Sequence, residues 1–437
     1  MQFNKTFNQK NAIGGKFVIG IDPGEYYHRA VILDPSGKVI GKPISFSVSF
    51  DGFHSKFLDS IKNLIPDFSP DKVVVAIESS INFYQTFTAF AISRGIQVLH
   101  VSPLKTYLAR GYHDNDFSKS DSKDAMLVAE TAFNGKYVKA ELYSDVFNSI
   151  HLLSIQYDKL LKNRCEYRMK LRAFMHQVFP EYLKVFDIET QTSLYLLRKY
   201  FTPEDFQKLI VENESPVISK ISISQHGAKT LLKLKELSRK TIGIPVSSGV
   251  KSYMRSILDS HLDILENVKK HSELIIEQMI ALARESVYFN ILVSIQGISK
   301  ILAAQFVAEA PQIENFKSRQ QLEKYIGFNL RAYQSGTYAG VRHINKLGNK
   351  RLSRVIFQMT EQTSRYVPVV RLKYLKRKTK CRNYKKNIIA AASALIKLLI
   401  DLFNSKKYYT PTHDENILNK IKELENKTTK CNKNKSA

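Results

Sequence analysis

Acidic residues are scarce in this chain. Forty aspartates and glutamates face 66 lysines and arginines, giving a formal net charge of +26 and a pI near 9.7. So one-sided a balance implies a polyanionic partner, and for 437 residues nucleic acid stands ahead of an anionic membrane surface. Apolar runs are also short. Residues 388–402 are the best candidate for a membrane span and are interrupted by Lys397 and Asp401. The opening Met1-Gln2-Phe3-Asn4-Lys5 lacks the apolar core of a signal peptide. No membrane partner is expected. Three cysteines, Cys165, Cys381 and Cys431, stand far apart, which excludes a disulfide framework or zinc knuckle and fits a reducing cytoplasm. The eleven histidines form no metal-ligand spacing, and no phosphate-binding P-loop pattern is present.

Against that shortage, four acids occupy suggestive places. Asp22 ends the apolar run Phe17-Val18-Ile19-Gly20-Ile21, and Glu78 ends Val73-Val74-Val75-Ala76-Ile77. Asp121 and Asp124 lie three apart at the start of a helical stretch, a spacing that puts both carboxylates on one helix face. Hard divalent ions such as Mg²⁺ take oxygen ligands, and a pair of them can clamp both oxygens of a phosphoryl transfer. Two acids at strand ends make turns or salt bridges more often than metal sites. The four together favour metal. Asp114 and Asp116, nearby, read as solvated loop residues.

Residues 16–135 alternate β and α patterns. Three strands are expected at 17–22, 29–34 and 43–50, then a helix near 53–64, a strand at 73–78, a helix at 83–94, a strand at 96–101 and a helix at 120–133. That is the element order of an RNase H-like, RuvC-like α/β domain. The middle of the chain is helical. Val146, Ile150, Leu153, Tyr157, Leu160, Arg164, Tyr167, Leu171, Phe174 and Val178 trace a heptad seam. A second long helix is expected over 254–283, pairing with the first in one chain or leaving it to zip two chains together. Between them, Thr202-Pro203-Glu204-Asp205 reads as a helix start. Boundaries are expected at 1–144, 145–288, 289–411 and 412–437, the last a mobile basic tail.

The third part is mainly α. Its turn at Ile295-Gln296-Gly297-Ile298-Ser299 precedes a helix whose N–H groups suit a phosphate. Basic residues recur over 342–386, among them Arg342, Lys346, Lys350, Arg351, Arg354, Lys376, Arg377 and Lys378, with Glu361 alone opposing and Tyr366, Tyr374 and Tyr384 interleaved for stacking on bases. Ser335, before a glycine and ringed by Arg331, Arg342 and Lys346, is a candidate nucleophile toward a phosphodiester. By itself a Ser-Gly in a loop is more often a turn.

Together these motifs resemble the DEDD transposases of bacterial insertion sequences, the family that includes the Piv-type DNA invertases. The first half carries Asp22, Glu78 and the Lys-Ser-Asp-x-x-Asp-Ala segment with Asp121 and Asp124. The second carries Ile-x-Gly-Ile at 295–298, Gln-Ser-Gly at 334–336 and Lys-x-Gly-Asn at 346–349. Ser79-Ser80-Ile81-Asn82 lacks the glycine usual after the glutamate, and Leu330, Gln296 and Ser299 replace a proline, a proline and a glycine. The resemblance implies a recombinase in which the four carboxylates hold Mg²⁺ and Ser335 forms a covalent link to DNA. One chain's serine would join another chain's acids in a homo-oligomer, a dimer or tetramer. It also implies donor and target DNA as partners, a bridge RNA as guide, and nucleic-acid contacts from Arg331, Asn349 and the basic run. The competing readings are a RuvC-type nuclease that uses water, and a non-catalytic binding protein on a decayed scaffold.

Overall fold

The computed structural model describes residues 9–79, 82–113, 120–140, 144–310, 313–316, 318–331, 334–335, 338–339, 343–345, 347–381, 383–411 and 414–433. These form two compact units, Met1–Tyr143 and Ser144–Ala437.

The first unit is built on β1 (Phe17–Pro23), β2 (Tyr27–Leu33) and β3 (Val39–Ser47). A π-helical turn at Gly52–Phe57 then runs into α1 (Leu58–Leu64). There follow β4 (Val73–Glu78), α2 (Tyr84–Ser93), β5 (Gln97–Val101), α3 (Pro103–His113), α4 (Asp121–Phe133) and β6 (Val138–Lys139). The sheet order is β3-β2-β1-β4-β5-β6. The first three strands pair antiparallel, β1–β4 and β4–β5 pair parallel, and β6 returns antiparallel to β5. This is the RNase H-like arrangement expected from the element order. β4 runs Val-Val-Val-Ala-Ile because both its faces are covered, as in parallel sheets generally. One face packs Phe46, Phe57 and Phe87 with Ile19, Ile21, Val75 and Ile77, and the other packs Val18, Val74, Ala76 and Leu99 against Val128 and Ala129 of α4. His28 lies among Phe46, Phe53 and Phe87, where burial pushes its imidazole down to about 4 and leaves it neutral.

Helix α3 has no counterpart in the sequence reading, because its apolar residues point the wrong way. Leu104, Tyr107 and Leu108 are 49%, 55% and 56% exposed, while Thr106 is buried.

Among its described residues the second unit is helical apart from two small two-stranded sheets. Its spine is α5 (Asp145–Val178), capped by Ser144. Next come α6 (Gln191–Lys199), α7 (Pro203–Lys208), α8 (Val211–Ile221), α9 (Ala228–Arg239) and α10 (Ser248–Ala283). Then follow α11 (Val287–Ser294), α12 (Lys300–Glu309), α13 (Arg319–Ile326), β7 (Leu330–Arg331), β8 (Gln334–Ser335), β9 (Tyr338–Ala339), β10 (His343–Ile344), α14 (Lys350–Tyr366), α15 (Pro368–Lys378), α16 (Tyr384–Ser405) and α17 (Glu415–Lys433). Thr202 and Asp205 form the capping box that the Thr-Pro-Glu-Asp segment announces.

The heptad seam is satisfied within one chain. Ile150 shares a core with Met279 and Ala283, whereas Leu171, Phe174 and Val178 share another with Leu258, Leu262 and Leu265. α5 and α10 therefore run antiparallel. Arg164 breaks the seam by reaching out to Glu189, with Nε 2.7 Å from Oε1.

Two expectations are corrected. Residues 412–437 do not form a mobile tail as a whole, since α17 lies within them and docks on α15 through buried Ile421 and the Arg371–Glu425 ion pair. Residues 388–402 belong to α16, the one helix among the described residues long and apolar enough to cross a membrane. Its Ile388, Ala391, Leu395 and Leu399 are instead fully built into a core with Leu352, Val355 and Met359.

Candidate active site

Strand parity gathers the acids. Alternate residues of a strand face opposite sides of its sheet. Ile19 and Ile21 belong to the phenylalanine-rich core and Val18 to the core under α4, so Asp22 falls on the α4 face. In β4, Val75 and Ile77 join the first core and Val74 and Ala76 the second, which puts Glu78 on the same face as Asp22. The parallel register pairs Gly20 with Ala76 and Ile21 with Ile77, so Asp22 and Glu78 are the next neighbours along adjacent strands. Arg29 stands directly across from Asp22 on β2.

Gly20 brings the helix to the strands. A Cβ at this position would lie 2.2 Å from the Ala125 carbonyl oxygen and 2.5 Å from the Ala129 nitrogen. No larger residue leaves room for α4 to lie so flat on β1. Asp124, one residue before Ala125, is thereby buried next to the strand ends. Asp121 is exposed in the first turn, where Ser120 caps the helix by accepting from the Lys123 N–H. Acids in a first turn also complement the helix dipole.

Two groups that sequence reasoning missed complete the arrangement, both on α3. The Thr106 hydroxyl donates to Glu78 Oε2 at 2.5 Å. Arg110 Nη2 donates to Asp124 Oδ1 at 2.5 Å. These two side chains are four residues apart, one helical turn, and so reach the acids from the same face of α3. The signal that could have found them is a helix with its polar pair, rather than its leucines, directed inward.

Four carboxylates on one sheet edge and one helix start are the donor set that a hard divalent ion takes. Their oxygen chemistry suits such an ion, and Glu78 and Asp124 each have one oxygen engaged by α3. Among the described residues, no three Asp, Glu, His or Cys side chains stand together closely enough to hold a metal.

In the second unit, Ser335 is the last paired residue of β8 and lies opposite Tyr338 in a tight hairpin. Its side chain, that of Arg331, and the whole of Gly336, Arg342 and Lys346 lie outside the described residues. The Lys-x-Gly-Asn segment is a packing device. A Cβ on Gly348 would sit 2.5 Å from the Gly327 nitrogen, so only glycine lets α14 start against the end of α13. Asn349 then caps α14, accepting from the Arg351 and Leu352 N–H groups, and its amide donates to Glu309 Oε2 at 2.9 Å.

The basic run divides in two. Arg354 pairs with buried Asp158 of α5, and Arg351 reaches both Asp158, at 3.6 Å, and Glu309, at 3.7 Å. Lys350, Lys376, Arg377 and Lys378 are exposed. Ser299 caps α12 by accepting from the Leu302 N–H, which occupies part of the helix start read as a phosphate site. Tyr366 and Tyr384 are half exposed, and Tyr384 donates to Glu361 at 2.5 Å.

Comparisons with known proteins agree across both units. A family model described as transposase matches residues 19–180, and one described as transposase of the IS116/IS110/IS902 family matches residues 289–375. The insertion element IS116 44.8 kDa protein of Streptomyces clavuligerus is 21% identical over 396 residues, covering 90% of this chain and 96% of that protein. The insertion element IS110 43.6 kDa protein of Streptomyces coelicolor is 20% identical over 408 residues, covering 90% and 95%. Among solved structures, T. thermophilus RuvC in complex with a Holliday junction substrate matches 29% of this chain and 99% of its own, at 17% identity and a TM-score of 0.21.

Proposed function

The chain belongs to the IS116/IS110/IS902 family of transposases, and from that premise we propose that it cuts and rejoins DNA through a serine–phosphodiester intermediate assisted by Mg²⁺. The observation that carries this reading is the convergence of Asp22, Glu78 and Asp124 on one face of the sheet, with Asp121 one turn away. Asp22, Glu78, Asp121 and Asp124 would hold the ion, which when bound supplies a Lewis acid at the phosphate and can do so as a pair.

The rest falls to the chain's own residues. Ser335 Oγ forms a bond to phosphorus as the bond from phosphorus to the leaving strand's oxygen breaks. The serine gives up its proton and the leaving oxygen takes one up. One phosphoester replaces another, so the strand can be rejoined by the reverse displacement without an outside energy source. Arg331, Arg342 and Lys346 lie near Ser335 in sequence and would offset charge on the phosphate. Exposed Lys350, Lys376, Arg377 and Lys378 offer a salt-sensitive surface for donor DNA, target DNA and a guide RNA. Of the remaining proposed contacts, Asn349 holds a helix start, and Arg351 and Arg354 spend most of their reach on Asp158 and Glu309. Residues 289–411 act as the serine-bearing part, and a homo-oligomer, dimer or tetramer, brings one chain's serine to another chain's acids.

The test is a covalent adduct on a denaturing gel, with purified protein, Mg²⁺, RNA transcribed from the element's flanks and labelled donor DNA. An adduct that disappears in Ser335→Ala and in Asp22→Asn, with rates down by about three orders of magnitude, is the expected result. Cleavage without adduct that survives Ser335→Ala would make the protein a water-using nuclease.

A further inference from the structure

Helix α3 meets the acid site through polar groups. Arg110 places its guanidinium on Asp124, with the side chains 17% and 6% exposed. Thr106, itself 3% exposed, hydrogen-bonds Glu78. Among the described residues the buried Arg110 Nε has no hydrogen-bond partner, so toward Asp124 the fork is not used as the two-armed clamp that arginine favours. Meanwhile Leu104, Tyr107 and Leu108 on the same helix face outward at 49–56% exposure. A helix that turns these apolar residues to solvent places Thr106 and Arg110 on the acids, and of that pair only Arg110 brings a charge.

That charge sits where a divalent ion would need the same carboxylate. Asp124 carries one negative charge, and its Oδ1 already accepts a short, charge-assisted bond. A second cation at this carboxylate meets repulsion from a guanidinium a few ångströms off, in a site too buried for water to screen it well. We propose that Arg110 is a tethered cation that competes with the divalent ion for Asp124, so that α3 sets the affinity of the acid site for metal. This rests on the reading of Asp22, Glu78, Asp121 and Asp124 as metal ligands. Arg110 is a positioning residue here and Thr106 its neutral companion. Release of Arg110 also hands a free guanidinium to the nearest phosphate oxygen, so an anionic substrate and the ion favour each other's binding. Such coupling is reciprocal by necessity.

The test is Mn²⁺ binding to the purified full-length chain, followed by the loss of the free-ion electron paramagnetic resonance signal, with no nucleic acid present. Arg110→Gln removes the competing charge and keeps the length, so it should bind Mn²⁺ roughly tenfold more tightly than the parent chain. Arg110→Lys keeps the charge and should stay within about threefold of the parent. Thr106→Val loosens α3 at Glu78 without changing charge and should also stay within about threefold. Equal or weaker binding by Arg110→Gln overturns the proposal, as does a gain in Thr106→Val as large as that in Arg110→Gln. Thermal melting of each variant accompanies the titration, and a poorly folded Arg110→Gln leaves the decision to Arg110→Lys against Arg110→Met. Asp22→Asn separates the two levels. If it leaves Mn²⁺ binding intact, the acid-site reading itself fails. If it abolishes binding while Arg110→Gln gains nothing, only the competition fails.

Discussion

The acid edge of the first unit and the basic helices of the second both collect charge of one sign, and they treat it in opposite ways. At the sheet edge, carboxylates are set on one face by backbone geometry, through the parity of β1 and β4 and the close approach of α4 at Gly20. Like charges side by side cost stability, and a fold accepts that cost where the group serves chemistry. On α14 the arginines are dispersed onto acids supplied by other helices, Asp158 from α5 and Glu309 from α12. Charge that looks uncommitted in the chain is there consumed by packing. A basic run therefore says how many cations exist, and the fold says how many are left for a partner.

The largest expected break is Gly20→Ala. Its Cβ would have to push α4 off β1, at a cost of about 3 kcal/mol in urea unfolding. Mn²⁺ binding should fall away in the fraction that stays folded, because Asp124 moves with α4. Asp158→Asn attacks the other side of the comparison. It leaves Arg354 beside a neutral amide and Arg351 with Glu309 alone, and should cost about 2 kcal/mol, below the usual range for a broken buried pair because both guanidiniums reach solvent. The same substitution should steepen the salt dependence of nucleic-acid binding, since Arg354 is freed while Arg351 keeps Glu309. The smallest effect on the fold belongs to Lys376→Ala, Arg377→Ala and Lys378→Ala combined. Stability should change by less than about 0.5 kcal/mol, while the slope of log affinity against log salt drops by about 0.9 for each phosphate no longer neutralised. An unchanged slope would show that α15 does not face the nucleic acid.

Legibility followed the distance over which a residue's placement is decided. Asp22 and Glu78 were readable because each closes a run of buried β-branched residues, and a strand's two-residue period fixes which face its last member takes. Asp124 was readable from helix spacing. Arg110 and Thr106 were not, because α3 inverts the pattern by which amphipathic helices are recognised. The commitment of Arg354 could not be read locally either, for its partner Asp158 lies 196 positions earlier. Asp158 itself sits one place after Tyr157 in the heptad seam, on a flank that the seam treats as solvent. α17 escaped notice because its lysines and asparagines outnumber its apolar residues, and its docking turns on Ile421 and Glu425.

The antiparallel pair α5 and α10 contributes one half of each helix to each of two cores. A helix of 34 residues is a rod of about 50 Å, so the two cores hang at opposite ends of a common girder. Each core takes its own stretch of both helices, Ile150 with Met279 and Ala283 at one end and Leu171 with Leu262 at the other. The chain leaves this girder after Val178 and rejoins it at Ser248, at the same end. The segment between those points packs Tyr182, Phe206 and Leu231 into the core at that end alone. Residues 289–403 pack on the opposite end, so a change in the 179–247 segment reaches them only along the two rods.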